Sequence, residues 1–180
     1  MSETPSQITP SQTVGPFFGY ALPYGDGPRV VPEWHPDAIR IHGRVLDGEG
    51  EPLPDALLEI WQAGPDGEVP ASIGGLRRDG HDFAGFGRSA TDAAGHYWFS
   101  TLKPGGPAPH IAVIVFARGL LKSVATRIYF PGETGNAEDP VLSGVPADRR
   151  DTLVAVREDD RSYRFDVRLR GEQETVFFVA

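Results

Sequence analysis

The chain has 180 residues, 39% of them hydrophobic and 23% charged, and a formal net charge of −8. Such a length suits one domain with a sizeable core, and the composition excludes both disorder and a membrane protein. The absence of cysteine excludes disulfides, zinc–thiolate sites and thiol nucleophiles, and the acidic balance argues against nucleic acid, which calls for a basic surface.

The longest apolar run, Ile111 to Ala117, is far too short to cross a membrane. Residues 1–11 are polar and lack a basic-then-apolar leader, so a cytoplasmic location is the default expectation. The 22 glycines and 17 prolines together exceed a fifth of the chain, against ordinary usage of about 7% and 5%. With the aliphatic content too high for disorder, many short strands joined by tight turns are expected.

Residues 1–38 read as an extended arm, because Pro5, Pro10, Pro16, Pro23, Pro28, Pro32 and Pro36 leave no room for a long helix. Phe17, Phe18, Tyr20 and Trp34 would anchor it to its own domain or a neighbour. From Ile39 the alternation is that of a strand, with Ile39, Ile41, Gly43 and Val45 on one face and Arg40, His42 and Arg44 on the other. Leu57 to Gln62 predicts a second strand. Residues 63–88 show no sustained period and read as a long loop.

His96 to Leu102 predicts an aromatic-rich strand after the turn Asp92-Ala93-Ala94-Gly95. Ile111 to Ala117 predicts a central strand buried on both faces, and Ser123 to Phe130 the next. Residues 131–145 read as loop, and Pro146 to Arg150 as one helical turn begun by proline. Leu153 to Val156 and Tyr163 to Leu169 predict a hairpin around Asp159-Asp160, and Thr175 to Val179 a closing strand. The whole is expected to be all-β: a single domain over residues 1–180, with a two-sheet β-sandwich of about eight strands (residues 39–180), an extended N-terminal arm (residues 1–38) and long loops.

An ordered set of segments carries a resemblance over nearly the whole chain. It comprises TPSQTVGPFF (Thr9 to Phe18), LEIWQA (Leu58 to Ala63), FAGFGR (Phe83 to Arg88), TDAAGHYWF (Thr91 to Phe99), LKPG (Leu102 to Gly105), APHIAVIVFARG (Ala108 to Gly119), TRIYF (Thr126 to Phe130) and YRFDVRLRGEQETVFF (Tyr163 to Phe178). Together these resemble the intradiol ring-cleaving dioxygenases, and within them the chains that pair with an iron-bearing partner.

The resemblance implies a β-sandwich with an N-terminal arm, a beta-type partner chain of similar fold, and higher-order assembly of the pairs. It implies a small aromatic substrate, 3,4-dihydroxybenzoate, and O2, both atoms of which enter the ring as it opens to 3-carboxy-cis,cis-muconate. In the iron-bearing chains, two tyrosinates and two histidines hold non-haem ferric iron, hard phenolate oxygens favouring the ferric state.

This sequence departs from that ligand pattern. The family's His-x-His, which would place both rings on one strand face, is here His110-Ile111-Ala112; no tyrosine stands between Tyr24 and Tyr97, and residues 105–109 contain none. A single imidazole cannot hold a ferric site, and His110 reads as a histidine hydrogen-bonded within the sandwich, so no metal and no catalytic residue is assigned to this chain. His35, His42, His81 and His96 lack metal-like spacing.

By resemblance, Thr13, Gly15, Pro16 and Arg118 are the residues that reach the partner's substrate pocket. Thr13 offers a hydroxyl, Gly15 a close backbone approach, Pro16 a rigid wall, and Arg118 a guanidinium for the substrate carboxylate. From the residues alone, Gly15-Pro16 reads as a turn and Arg118 as a solvated strand end; the resemblance is what reverses both. Arg127 competes for the anion-binding role, and a stand-alone binding or structural module is the alternative for the whole chain.

Overall fold

The computed structural model describes residues 13, 15, 17–70 and 83–179. One helical turn, α1 (Phe18–Ala21), precedes strands β1 (Ala38–Leu46), β2 (Leu57–Trp61), β3 (Phe86–Ala90), β4 (His96–Leu102), β5 (His110–Phe116) and β6 (Val124–Tyr129). A 3-10 turn (Thr134–Ala137), the helical turn α2 (Pro140–Ser143) and a 3-10 helix (Ala147–Leu153) follow, then β7 (Val156–Arg157), β8 (Ser162–Arg164) and β9 (Val167–Arg168). The strands form two sheets, one ordered β4-β1-β8-β7 with β9 also on β1, the other ordered β3-β2-β5-β6. The chain is therefore all-β, as its glycine, proline and alternation predict.

The core lies between the sheets. Ile41 and Val45 of β1, Tyr97 and Phe99 of β4, Leu58 and Ile60 of β2, and Ile111, Val113 and Val115 of β5 are all buried there. Tyr97 meets Phe99 edge-on at 6.0 Å, and Phe130 meets Tyr163 at 5.0 Å, geometries that suit the aromatic quadrupole. The buried Tyr97 hydroxyl donates to the Phe165 carbonyl at 2.5 Å. That carbonyl also presses on Gly43, where any Cβ would collide with it. Glycine is thus required in mid-strand here by close backbone approach.

The arm lies along its own domain over its last third. Ser100 of β4 donates its N–H to Pro28 O at 2.9 Å and accepts from Val31 N–H at 3.1 Å, so residues 28–31 extend the edge of the five-stranded sheet.

Several expected elements differ in detail. The run Tyr163 to Leu169 is not one strand. It breaks at Phe165–Asp166, so that β8 pairs parallel to β1 at Arg40–His42 and β9 at Val45–Leu46. Its alternation survives the break because both pieces face the same core. Leu153 ends the 3-10 helix, leaving only Val156–Arg157 to pair with β8. Thr175 to Val179 forms no strand and makes a single bridge, Ala125 with Phe178.

Residues 63–88 are not wholly loop, because β3 begins at Phe86. Its Gly87 hides the strand from periodicity, yet a Cβ there would stand 2.7 Å from Val30 Cγ2. The stretch from Ile111 is central but buried on one face only. Ile111, Val113 and Val115 are inside, while Ile114 on the outer face is 40% exposed.

Candidate functional site

Strand β5 joins the two places to which the sequence points. His110 opens it and Arg118 lies just past its end, roughly 25 Å away at the rise of an extended strand. At the far end, Leu120 N–H donates to Ala117 O at 3.2 Å, closing a turn in which Gly119 has φ +94°. A turn with positive φ at its third residue calls for glycine there, and it sets Arg118 at the outer corner, 70% exposed.

The register of β2 against β5, Leu57 opposite Phe116, carries on past the strand ends and sets Asp55 beside Arg118. Arg118 Nε lies 3.1 Å from Asp55 Oδ2. The ion pair thus engages the inner edge of the guanidinium and leaves its two terminal nitrogens without a partner among the described residues. Asp55 was not singled out from sequence. The signal that could have found it is this antiparallel register, which sequence shows only once both strands are aligned. Asp55 Oδ1 is buried and makes no hydrogen bond.

The arm reaches the same turn. Thr13 Oγ1 donates to Leu120 O at 3.0 Å, and Phe18 packs on Phe116 with ring centroids 6.1 Å apart. Gly15 has φ +74°, while a Cβ there would meet nothing within 4 Å. Its backbone conformation, rather than crowding, is what favours glycine. Pro16 lies outside the described residues. Thr13 and Arg118 are therefore brought to one turn, with Gly15 two residues further along the arm. Phe17 (79%), Tyr20 (87%) and Leu121 (63%) are strongly exposed.

The His110 end is different in kind. His110 Nδ1 stands 3.0 Å from Ala108 O, and its ring is 5.5 Å from that of Tyr129. Tyr129 donates its hydroxyl to Asp139 Oδ1 at 2.8 Å and accepts from Arg127 Nη1 at 3.3 Å. Asp139 Oδ1 also accepts from the N–H groups of Val141 and Leu142, capping α2. Burial pushes the Tyr129 phenol up to about 12. Burial also pushes Asp139 up, but the N–H bond from Leu142, with those from Tyr129 and Val141 and the charge of Arg127, holds its carboxyl below the usual range. Arg127, the competitor for anion binding, is occupied by its own strand neighbour.

The next residue on the face of His110 is Ala112, and the same outer face carries Trp61, Phe86 and Ile114 around an apolar hollow. Among the described residues no three histidine, aspartate or glutamate side chains converge as metal ligands. One imidazole committed to a backbone carbonyl, beside an alanine and apolar neighbours, does not fit a ferric centre. Of the other histidines, His42 Nε2 contacts Glu158 Oε2 at 2.9 Å and Ser162 Oγ at 3.1 Å, and His96 Nε2 accepts from Arg44 at 2.7 Å. Both belong to surface ion-pair chains, and His81 lies outside the described residues.

Known proteins share this architecture. The dioxygenase domain of a dioxygenase–carbohydrate-binding fusion from Streptomyces sp. SirexAA-E superposes with a TM-score of 0.61 at 28% identity, covering 92% of this chain and 99% of that one. A dioxygenase family model matches residues 32–109. The fold is that of the dioxygenase β-sandwich proteins.

In sequence, the chain is 43% identical to the protocatechuate 3,4-dioxygenase alpha chain of Burkholderia cepacia, covering 94% of this chain and 96% of that one. It is 35% identical to the beta chain of the same organism, over 77% of this chain and 67% of that one. The chain belongs to the family of protocatechuate 3,4-dioxygenase alpha chains.

Proposed function

We propose that this chain is the iron-free alpha subunit of a protocatechuate 3,4-dioxygenase, and that it completes the substrate pocket of an iron-bearing beta chain. The observation that supports this most is the turn Ala117–Leu120. Its Arg118 is exposed, and its Leu120 carbonyl accepts from Thr13 of the arm. The acceptor for the terminal nitrogens of Arg118 is the carboxylate of 3,4-dihydroxybenzoate, which a guanidinium fork can take in bidentate fashion. Thr13 keeps acceptor capacity for a ring hydroxyl or ordered water. Gly15 is assigned to the pocket wall beside it, and by the resemblance of the TPSQTVGPFF segment so is Pro16, which lies outside the described residues.

The non-haem ferric iron belongs to the beta chain, where it supplies Lewis-acid activation of the bound diol. This chain binds and orients the substrate as both atoms of O2 enter and the ring opens between the hydroxylated carbons to 3-carboxy-cis,cis-muconate. The exposed Phe17, Tyr20 and Leu121 are buried against the partner, and the pairs assemble further. The reaction is a step of cytoplasmic aromatic catabolism.

Co-expression with a beta-type chain tests the proposal. The expected product is a red-brown complex that consumes O2 with 3,4-dihydroxybenzoate, while the lone chain purifies colourless and inactive. Stoichiometric iron on the lone chain, or failure of the two chains to co-purify, overturns it.

A further inference from the structure

The outer face of the five-stranded sheet carries a second cluster of arginines, remote in the fold from Arg118. Arg40 of β1 pairs in register with Ser100 of β4. Both backbone groups of Ser100 are turned to residues 28–31, so the pair with Arg40 is of the non-hydrogen-bonded kind, in which side chains lie closest. Arg40 donates its N–H to Arg161 O at 2.6 Å, which sets Arg161 alongside. Trp98, two residues before Ser100 on the same face, has the guanidinium carbons of Arg29 and Arg40 at 5.3 and 5.4 Å from its ring. Arg40, Trp98, Ser100 and Arg161 line a half-open cavity of about 210 Å³, together with Glu33, Ala38 and Ile39.

The charges do not balance. Arg29 is neutralised by Glu33 at 3.1 Å and Asp26 at 3.6 Å. Arg40 and Arg161 have no carboxylate partner among the described residues, in a chain whose net charge is −8. Ser100 is only 4% exposed, and its hydroxyl makes no hydrogen bond. A buried hydroxyl left unpaired is costly, and Ser100 lines the same cavity as Arg40 and Arg161.

We infer that this cavity is a binding site for a small oxyanion, a carboxylate or a phosphate. Arg40 and Arg161 supply charge-assisted donors, Trp98 holds Arg40 by its ring face, and the Ser100 hydroxyl completes the set. The site does not depend on the function proposed above.

Fluorescence of the full chain purified without a partner provides the test. The substitutions Trp34→Phe and Trp61→Phe leave Trp98 the one reporter of the three tryptophans. Inorganic phosphate and acetate are titrated separately at constant ionic strength. A saturable change with phosphate alone assigns a phosphate ligand, one with acetate alone a carboxylate, and one with both a general oxyanion site. Arg40→Gln with Arg161→Gln is expected to weaken binding about tenfold or more. Ser100→Ala is expected to weaken it several-fold without lowering the Tm of the free chain, because the hydroxyl it removes bonds to nothing. A response that stays linear with both anions, or saturable binding indifferent to the double arginine substitution, overturns the site.

Discussion

The two ends of strand β5 contain similar polar residue types and put them to opposite uses. At the His110 end, each of these polar groups has a partner within the chain: His110 meets Ala108 O, Tyr129 Asp139, Arg127 Tyr129, and Asp139 the N–H groups that begin α2. At the Arg118 end, the groups make single contacts and stay exposed, with Asp55 beside Nε of Arg118 and Leu120 O accepting from Thr13. One end has turned its chemistry into structure. On the function proposed above, the other positions chemistry for a ligand outside the chain. Substitutions at the first should therefore change stability and spare activity, and those at the second should do the reverse.

The sharpest way to break this contrast is Arg118→Ala in the assembled complex. A charge-assisted hydrogen bond to a carboxylate is worth about 1.5–3 kcal/mol, so KM for 3,4-dihydroxybenzoate should rise about 10- to 100-fold. Because Arg118 is 70% exposed, the Tm of the lone chain should not move. Catechol, which lacks the carboxylate, should be indifferent to the substitution. An unchanged KM for 3,4-dihydroxybenzoate would falsify the assignment of Arg118 to the anion.

The converse substitution is Tyr129→Phe. It should cost about 1–2 kcal/mol in urea unfolding, since it removes the bond to Asp139 and the longer one from Arg127 and leaves Asp139 its backbone donors, with kcat/KM unchanged. Wild-type stability should also depend on alkaline pH. The Tyr129 phenol is raised by burial from its ordinary value of about 10 to about 12, and burial raises Tyr97 in the same direction. A group whose folded pKa lies above its unfolded one contributes stability fully present below the unfolded value. That stability is lost as the pH rises through the folded value. The Tm should hold to about pH 10 and fall toward pH 12, less steeply in Tyr129→Phe. A fall of equal slope in both proteins would remove Tyr129 from the account.

How much of this could be read from sequence follows the range of each signal. Strands β1, β2, β4, β5 and β6 are legible because their alternation is local, and His96–Leu102 is placed to the residue. β3 is not, because Gly87 breaks the pattern for the sake of Val30, Ile60 and Phe99, which come from distant parts of the chain. The break at Phe165 is hidden for a related reason, its cause being Gly43 more than a hundred residues earlier. At the site, the motifs name Thr13 and Arg118, but only the folded register brings Asp55 to Arg118. Nothing local in sequence marks Ser100 as buried and unpaired.

Asp55 offers the finest test of the contrast, because it belongs to the structure and acts through Arg118. Its Oδ2 lies 3.1 Å from Nε, an ion pair that biases where the guanidinium sits, and Oδ1 is buried without a partner. Asp55→Asn keeps the shape but removes the charge that draws Nε inward. The guanidinium should then sample more orientations, and KM for 3,4-dihydroxybenzoate should rise a few-fold, less than for Arg118→Ala, with kcat nearly unchanged. Stability should hardly respond, since exposed ion pairs are worth about 0–1 kcal/mol. In the double variant the effects should not add, because a residue that works by orienting Arg118 has nothing to orient once Arg118 is gone. Additive effects would instead give Asp55 a role of its own at the pocket, and the Arg118 end would be less open than its geometry indicates.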